Sequence, residues 1–172
     1  MRVGRGVTRR VRAALVAATL AFGHAGGAAA FDLQGHRGAR GLAPENTLAA
    51  FELALSLGVD TLELDVGISR DDVPVVVHDR TLNPDLVRDA RGRWLDVRGP
   101  AIRALDAEAL RGYDVGRIRP GSAYADAYPD QHPVDGERIP TLAEVFALVR
   151  RRGAERVRFN VETKLSPLAP AE

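Results

Sequence analysis

The chain has 172 residues, of which 45% are hydrophobic and 27% are charged, a length and composition that fit one globular domain and exclude a disordered protein. The absence of cysteine excludes disulfide bonds and thiol chemistry. The formal net charge is +1, but residues 1–30 hold five arginines and no acid, so residues 31–172 carry 19 basic and 23 acidic side chains, a net charge of −4 that argues against nucleic-acid binding.

Residues 1–30 have the composition of a secretory signal peptide. A basic start precedes a short apolar run from Ala13 to Phe22, and the segment ends in three alanines, with cleavage expected after Ala30. The apolar run is too short to anchor the chain in a bilayer. We therefore expect export to the periplasm or secretion, by the Sec route or, given Arg9 and Arg10, the twin-arginine route. The alternative is an ordinary amphipathic helix, which the Gly/Ala cluster would fray.

The first predicted elements form a strand followed by a helix. Leu33 to Arg37 predicts a short strand, and Asn46 to Leu57 predicts a helix that Gly58 ends as its C′ residue. Apolar side chains recur in this helix at intervals of three and four residues, at Leu48, Phe51 and Leu55. Strand, polar loop and helix together indicate a β/α unit.

A second strand is predicted from Thr61 to Ser69, where apolar and polar residues alternate. Its acids, Glu63 and Asp65, therefore point to the same face. One interpretation is the solvated face of an antiparallel strand. The preceding helix and the next apolar segment favour a parallel sheet covered by helices, with the acids facing a barrel interior or cleft. Buried carboxylates two residues apart repel each other, which a divalent cation would relieve.

A turn at Asp71-Asp72 leads to a second extended segment, Val73 to His78, which runs back in the opposite direction. His78 at its end is either a packed, hydrogen-bonded histidine or a functional one. From about residue 80 to 136 frequent Gly and Pro predict an irregular insertion, with one short helix at Asp106 to Leu110. We expect its aromatic and histidine side chains to pack the insertion or line its rim: Trp94, Tyr113, Tyr124, Tyr128 and His132.

The last predicted unit is a helix followed by a strand. Thr141 and Glu144 form a capping box, and the helix ends at Gly153. In the strand from Val157 to Lys164 one face is apolar, and the other carries Asn160, Glu162 and Lys164. Glu162 and Lys164 could form a plain buried ion pair. Their combination with the two acids of the second strand favours Glu162 as a third metal ligand.

Six short motifs lie at the ends of these elements: His36-Arg37-Gly38, Pro44-Glu45-Asn46-Thr47, Glu63-Leu64-Asp65, His78-Asp79, Ile139-Pro140-Thr141-Leu142 and Glu162-Thr163-Lys164. Their order and approximate spacing resemble the glycerophosphodiester phosphodiesterase family, from about Leu33 to Lys164. The resemblance implies an α/β fold, a TIM (β/α)8 barrel of the phosphodiesterase type with its site at the C-terminal ends of the strands and an insertion after the second strand.

The resemblance also implies roles for individual residues in metal-dependent hydrolysis of glycerophosphodiesters, a small-molecule substrate class, to glycerol 3-phosphate and an alcohol. The implied metal ligands, for Ca²⁺ or Mg²⁺, are Glu63, Asp65 and Glu162. The implied general acid and base are His36 and His78, whose ordinary imidazole chemistry suits neutral pH. The implied phosphate contacts are Arg37 and Lys164. Glu45 matches a further site position, as a metal or glycerol contact.

A full barrel of this type takes about 250 residues, whereas this chain holds about the first three β/α units. We therefore expect a partial phosphodiesterase domain over residues 31–172, truncated relative to its parent enzyme. Two alternatives follow from the same residues: a phospholipase D-like relative acting on lysophospholipid or sphingolipid, and a non-catalytic remnant of the enzyme.

Overall fold

The computed structural model describes residues 31–164. The predicted signal peptide, residues 1–30, and residues 165–172 lie outside the described part of the chain.

The described chain is an alternation of strands and helices, interrupted by a long irregular segment. The strands are β1 Gln34–Gly35, β2 Thr61–Ile68, β3 Pro74–Val76 and β4 Arg158–Thr163. The helices are α1 Leu48–Ser56, α2 Ala107–Leu110, α3 Ala123–Ala127 and α4 Leu142–Arg151, with a 3-10 turn at Ile102–Ala104.

The sheet is organised around β2, which pairs with the other three strands. β2 is parallel to β1 and β4, and the β4 register places Asp65 opposite Glu162. β3 pairs antiparallel with β2, with Val66 opposite Val76. The parallel sheet predicted from the sequence is therefore confirmed for β1, β2 and β4, and the segment predicted to run back after the Asp71-Asp72 turn is confirmed as the antiparallel strand β3. A parallel return needs a crossover of a dozen or more residues, whereas only a tight turn separates β2 from β3.

Local signals explain where the two longer helices begin and end. Thr47 caps α1 with its side-chain oxygen, so the helix begins at Leu48 rather than at the predicted Asn46, which adopts a left-handed conformation (φ 54°). The predicted capping box of α4 is confirmed, because the Thr141 side chain accepts from the Glu144 N–H and the Glu144 side chain accepts from the Thr141 N–H.

Two hydrophobic clusters stabilise the described part of the chain. The first lies between the sheet, α1 and α4, and its fully buried members include Phe51, Leu62, Leu64 and Val145. The second packs the long segment after β3 against Val75 and includes Leu82, Ile102 and Leu110. The apolar face of β2 thus faces the helices, which leaves its acidic face on the other side of the sheet. Among the helices of residues 31–164, none is long and apolar enough to cross a membrane.

The region predicted as an irregular insertion contains only short elements in the structure: the 3-10 turn, α2, α3 and isolated bridges such as Thr81 to Ala101. The predicted helix at Asp106 to Leu110 is confirmed as α2, which starts after Asp106.

Candidate active site

Three carboxylates, two on β2 and one on β4, converge on one side of the sheet. Each of Glu63, Asp65 and Glu162 places an oxygen within 4.8 Å of an oxygen of the other two. Alternation puts Glu63 and Asp65 on one face of β2, and the parallel register brings Glu162 alongside Asp65. The Asp65 side chain is fully buried, whereas the Glu162 side chain is 59% exposed. The structure therefore brings together all three predicted metal ligands.

Asp65 lies at the centre of this cluster and contacts two cations and an amide. Its Oδ1 lies 2.8 Å from Lys164 Nζ, its Oδ2 accepts from Asn46 Nδ2 at 2.8 Å, and Arg37 Nε lies 3.2 Å from Oδ2. Burial acts to raise the pKa of Asp65, but these partners outweigh it and hold the pKa below its usual value. Asp65 is therefore a buried carboxylate that stays ionised.

The donor set fits a hard divalent cation. All three side chains offer oxygen, the ligand type that Ca²⁺ and Mg²⁺ prefer. Within residues 31–164, Asp65 Oδ1 is buried and accepts no hydrogen bond of good geometry, although the Lys164 ammonium is close to it. A buried carboxylate oxygen left in this way has a free acceptor position that a cation would fill.

Arg37 follows β1 and turns its backbone toward the cluster. Its left-handed conformation (φ 53°) directs its N–H to Glu63 Oε2 at 2.7 Å. Its guanidinium Nη1 donates to Glu45 Oε1 at 2.9 Å. The next residue, Gly38, packs so closely on α1 that a side chain there would meet the backbone of Ala50. This close packing places the loop, and with it both bonds of Arg37.

Glu45 lies beside the cluster but outside the group of three carboxylates. Its two oxygens are held by Arg37 and by the hydroxyl of Tyr124, which donates to Oε2. Burial, followed by the nearby Glu45 charge, raises the pKa of the Tyr124 phenol, so that it stays a hydrogen-bond donor. In this geometry the Glu45 carboxylate contacts Arg37 and Tyr124, whereas its predicted role was a metal or glycerol contact.

His36 occupies one side of the site, with its side chain 56% exposed. Its Nδ1 lies 3.0 Å from the guanidinium Nη2 of Arg40, and its Nε2 lies 3.8 Å from Glu63 Oε2. Because a guanidinium only donates, Nδ1 is the acceptor, and neutral His36 carries its proton on Nε2. This tautomer presents an N–H toward the carboxylate cluster.

His78 has the opposite arrangement. Its Nδ1 lies 2.7 Å from Asp79 Oδ1, and a carboxylate accepts the Nδ1 proton. Neutral His78 therefore keeps the lone pair of Nε2 free. His78 and Asp79 line a cleft of about 830 Å³ together with Lys164, Val66 and residues of the insertion such as Arg98 and Arg103.

Three residues that contact this site were not predicted as part of it. Asn46 looked like a helix start, but its side chain bonds Asp65. Arg40 lies in the loop four residues after His36, and no sequence motif marks it as part of the site. Tyr124 was expected to pack the insertion or line its rim, and instead its hydroxyl reaches Glu45, 79 residues earlier in the sequence.

Comparisons with known proteins identify the family to which the chain is similar. Residues 36–172 match the glycerophosphoryl diester phosphodiesterase family. A glycerophosphodiester phosphodiesterase of Caldanaerobacter subterraneus subsp. tengcongensis is 38% identical over 129 residues, which cover 75% of this chain and 43% of that protein. The chain thus spans less than half the length of this relative.

Two solved structures are also similar. A Silicibacter pomeroyi protein described as a glycerophosphoryl diester phosphodiesterase matches with a TM-score of 0.74 and 36% identity, over 79% of this chain and 46% of that one. An Oleispira antarctica phosphodiesterase, solved in complex with the product sn-glycerol-3-phosphate, matches with a TM-score of 0.56 and 30% identity, over 81% and 47% of the two chains. The family's structures are TIM barrels, and the described residues form a partial parallel sheet with helices that is consistent with a part of one. The chain belongs to the glycerophosphoryl diester phosphodiesterase family.

Proposed function

We propose that this chain carries the metal and acid–base part of an enzyme that hydrolyses glycerophosphodiesters to glycerol 3-phosphate and an alcohol. The observation that carries the proposal is the convergence of Glu63, Asp65 and Glu162 within 4.8 Å of one another, in a chain of this family. The Oleispira relative, with sn-glycerol-3-phosphate bound as product, supports the choice of substrate class.

The three carboxylates would hold one Ca²⁺ or Mg²⁺, with Asp65 as the buried, ionised ligand. When bound, such a cation supplies stabilisation of the negative charge on the phosphodiester. Asn46 keeps Asp65 oriented through its bond to Oδ2, and the Arg37 N–H does the same for Glu63. Such outer partners orient the ligands of a metal site.

Two basic side chains, Arg37 and Lys164, would bind the phosphate oxygens. Nη1 of Arg37 donates to Glu45, Nε lies near Asp65, and Nη2 would donate to a phosphate oxygen. Lys164 bonds Glu162 and lies near Asp65, and these carboxylates raise its pKa against the effect of burial, which keeps it charged. Both groups would bind the phosphate as cations.

The two histidines have complementary tautomers, which supports complementary roles. His78, with Nδ1–H bonded to Asp79, can accept a proton at Nε2 from the attacking hydroxyl. His36 presents Nε2–H toward the cluster, where it can donate to the departing alkoxide. The attacking group is either water or the neighbouring glycerol hydroxyl, which would form a cyclic phosphate.

We further propose that the protein is exported, to the periplasm or beyond, because residues 1–30 have the composition of a signal peptide. Its partner is the small-molecule substrate rather than nucleic acid, which agrees with the net charge of −4 over residues 31–172.

Hydrolysis of glycerophosphocholine by the purified chain tests the proposed activity. Release of glycerol 3-phosphate is measured with Ca²⁺ or Mg²⁺ and with EDTA, for the wild type, His36→Ala, His78→Ala and a control, His132→Ala, in the exposed part of the insertion. We expect metal-dependent turnover that falls at least about a hundredfold in the first two variants and is retained in the control. Turnover of lysophosphatidylcholine but not glycerophosphocholine would contradict the substrate, and no turnover from a folded sample would contradict catalysis by this chain.

A further inference from the structure

The insertion contacts the site through α3, and the contact is specific. The Tyr124 hydroxyl donates to Glu45 Oε2, and Arg37 Nη1 lies 3.4 Å from the same hydroxyl oxygen. The Tyr124 ring packs against Tyr128, with ring centroids 5.3 Å apart. The Tyr124 side chain is therefore held at both ends, its ring by an aromatic neighbour and its hydroxyl by two charged groups.

A continuous chain of polar contacts leads from Tyr124 to the metal ligand. Tyr124 holds one oxygen of Glu45, Glu45 accepts from Arg37 with the other, and Arg37 Nε lies 3.2 Å from Asp65 Oδ2. The Arg37 and Glu45 side chains are both about nine-tenths buried. In such a site each hydrogen bond is strong and a missing one is costly, so the members depend on one another.

We propose that Tyr124 is a positioning residue for phosphate binding, which it performs through Glu45 and Arg37; this inference rests on the proposed function. By holding Glu45 Oε2, the phenol stops Glu45 from binding the guanidinium with both oxygens. Glu45 then holds Arg37 at Nη1 and Asp65 lies beside Nε, which leaves Nη2 to bind a phosphate oxygen. Without the hydroxyl, Glu45 can rotate and draw Arg37 away from the phosphate.

The insertion would therefore contribute to phosphate binding as well as to packing. Tyr124 lies on a short helix whose start is capped by Ser122, which fixes the direction from which the side chain enters the site. The hydroxyl is the only part of the side chain that the proposal requires, because the ring contact with Tyr128 would survive its removal.

Tyr124→Phe tests the proposal, with Tyr113→Phe as the matched control. Tyr113 lies in the same insertion and packs in its hydrophobic cluster. For each variant we would measure the melting temperature, the Kd of glycerol 3-phosphate by calorimetry with Mg²⁺ present, and kcat and KM for glycerophosphocholine. We expect Tyr124→Phe to raise Kd and KM by about tenfold, to change kcat by a smaller factor and to shift the melting temperature only slightly. Tyr113→Phe should leave Kd and KM unchanged.

A third variant separates positioning from a merely structural effect. If Tyr124 acts through Glu45, the double variant Tyr124→Phe/Glu45→Gln should bind glycerol 3-phosphate no more weakly than Glu45→Gln alone. Fully additive losses, or an unchanged Kd in Tyr124→Phe beside an active wild type, would overturn the positioning role alone. A wild-type chain that neither binds glycerol 3-phosphate nor turns over substrate would contradict the proposed function and overturn the positioning role with it.

Discussion

The ammonium of Lys164 lies 2.8 Å from Oδ1 of Asp65, inside the carboxylate cluster that we propose to bind a divalent cation. Lys164 also bonds Glu162, so one positive side chain partly neutralises two of the three acids. A bound cation would therefore meet a like charge at the edge of its site. Lys164 is the single lysine of the sequence, and one substitution removes its charge from the site.

Lys164→Met should change cation binding and phosphate binding in opposite directions. Removing a positive charge close to the cluster should tighten Ca²⁺ binding by about tenfold, because like charges at this range repel even with screening. The same change should weaken glycerol 3-phosphate binding, because one phosphate contact is lost. Calorimetric titrations with each ligand measure both effects. The control is Arg158→Met at the far end of β4, which pairs with Asp32; weaker binding of both ligands in Lys164→Met would contradict the prediction.

Asn46→Ala should destabilise the fold more than an exposed asparagine does. Asn46 is 4% exposed, and its side chain donates to Asp65 at 2.8 Å. Its removal leaves a buried carboxylate with one partner fewer, at a cost of about 2 kcal/mol. Urea unfolding without added metal measures the change. The control is Asn160→Ala on the exposed strand β4, which loses a hydrogen bond from Asn160 to Gln34 of β1. It should cost well below half as much stability. Equal costs would show that the contact of Asn46 with Asp65 adds nothing.

Gly38→Ala should destabilise the chain strongly because an added Cβ would lie 2.7 Å from the carbonyl carbon of Ala50 in α1. We expect a loss of about 2–4 kcal/mol, from the clash together with the left-handed backbone. Gly58→Ala is a close control, since Gly58 has the same φ of 78° but open space around its Cβ position. Its expected cost is only about 1 kcal/mol. Similar midpoints of urea unfolding for the two variants would contradict the close packing of the loop on α1.

Without metal, the free energy of unfolding should fall as the pH is lowered, and part of this fall should come from Asp65. Its pKa is lower in the folded chain than the ordinary value of 3.8. A carboxylate with a depressed folded pKa stabilises the fold above its unfolded pKa and loses that contribution as pH falls through the folded pKa. In EDTA, the free energy of unfolding should therefore drop below about pH 4.

The comparison of wild type with Asp65→Asn isolates this contribution. The variant cannot titrate at this position, so its stability should fall less steeply between neutral pH and acid. Asp96→Asn, on an exposed loop, should keep the slope of the wild type. If Asp65→Asn and the wild type lost stability in parallel as the pH falls, the pKa of Asp65 would not be lowered in the folded chain.

Much of the site was predictable because it depends on local patterns. The alternation in Thr61–Ile68 places Glu63 and Asp65 on one face, and the same period in β4 places Glu162 on its inner face, so a parallel pairing suffices to bring the three together. The capping box of α4 was readable for the same reason: it is formed within four consecutive residues.

What the sequence did not predict depends on contacts between distant residues or on turn geometry. Tyr124 meets Glu45 only because the insertion folds back over the β1–α1 loop, and no periodicity within either segment reports that contact. Asn46 was assigned to a helix because its φ of 54° cannot be inferred from the residue type.

Cation binding by the purified chain tests the central claim most directly. Calcium and magnesium titrations by calorimetry, on the wild type, Glu63→Gln and the exposed control Glu108→Gln, should show one site in the wild type and the control and none in Glu63→Gln. Equal binding by all three would contradict the cluster of Glu63, Asp65 and Glu162 as the metal site, and no binding by a folded wild type would contradict metal-dependent chemistry in this chain.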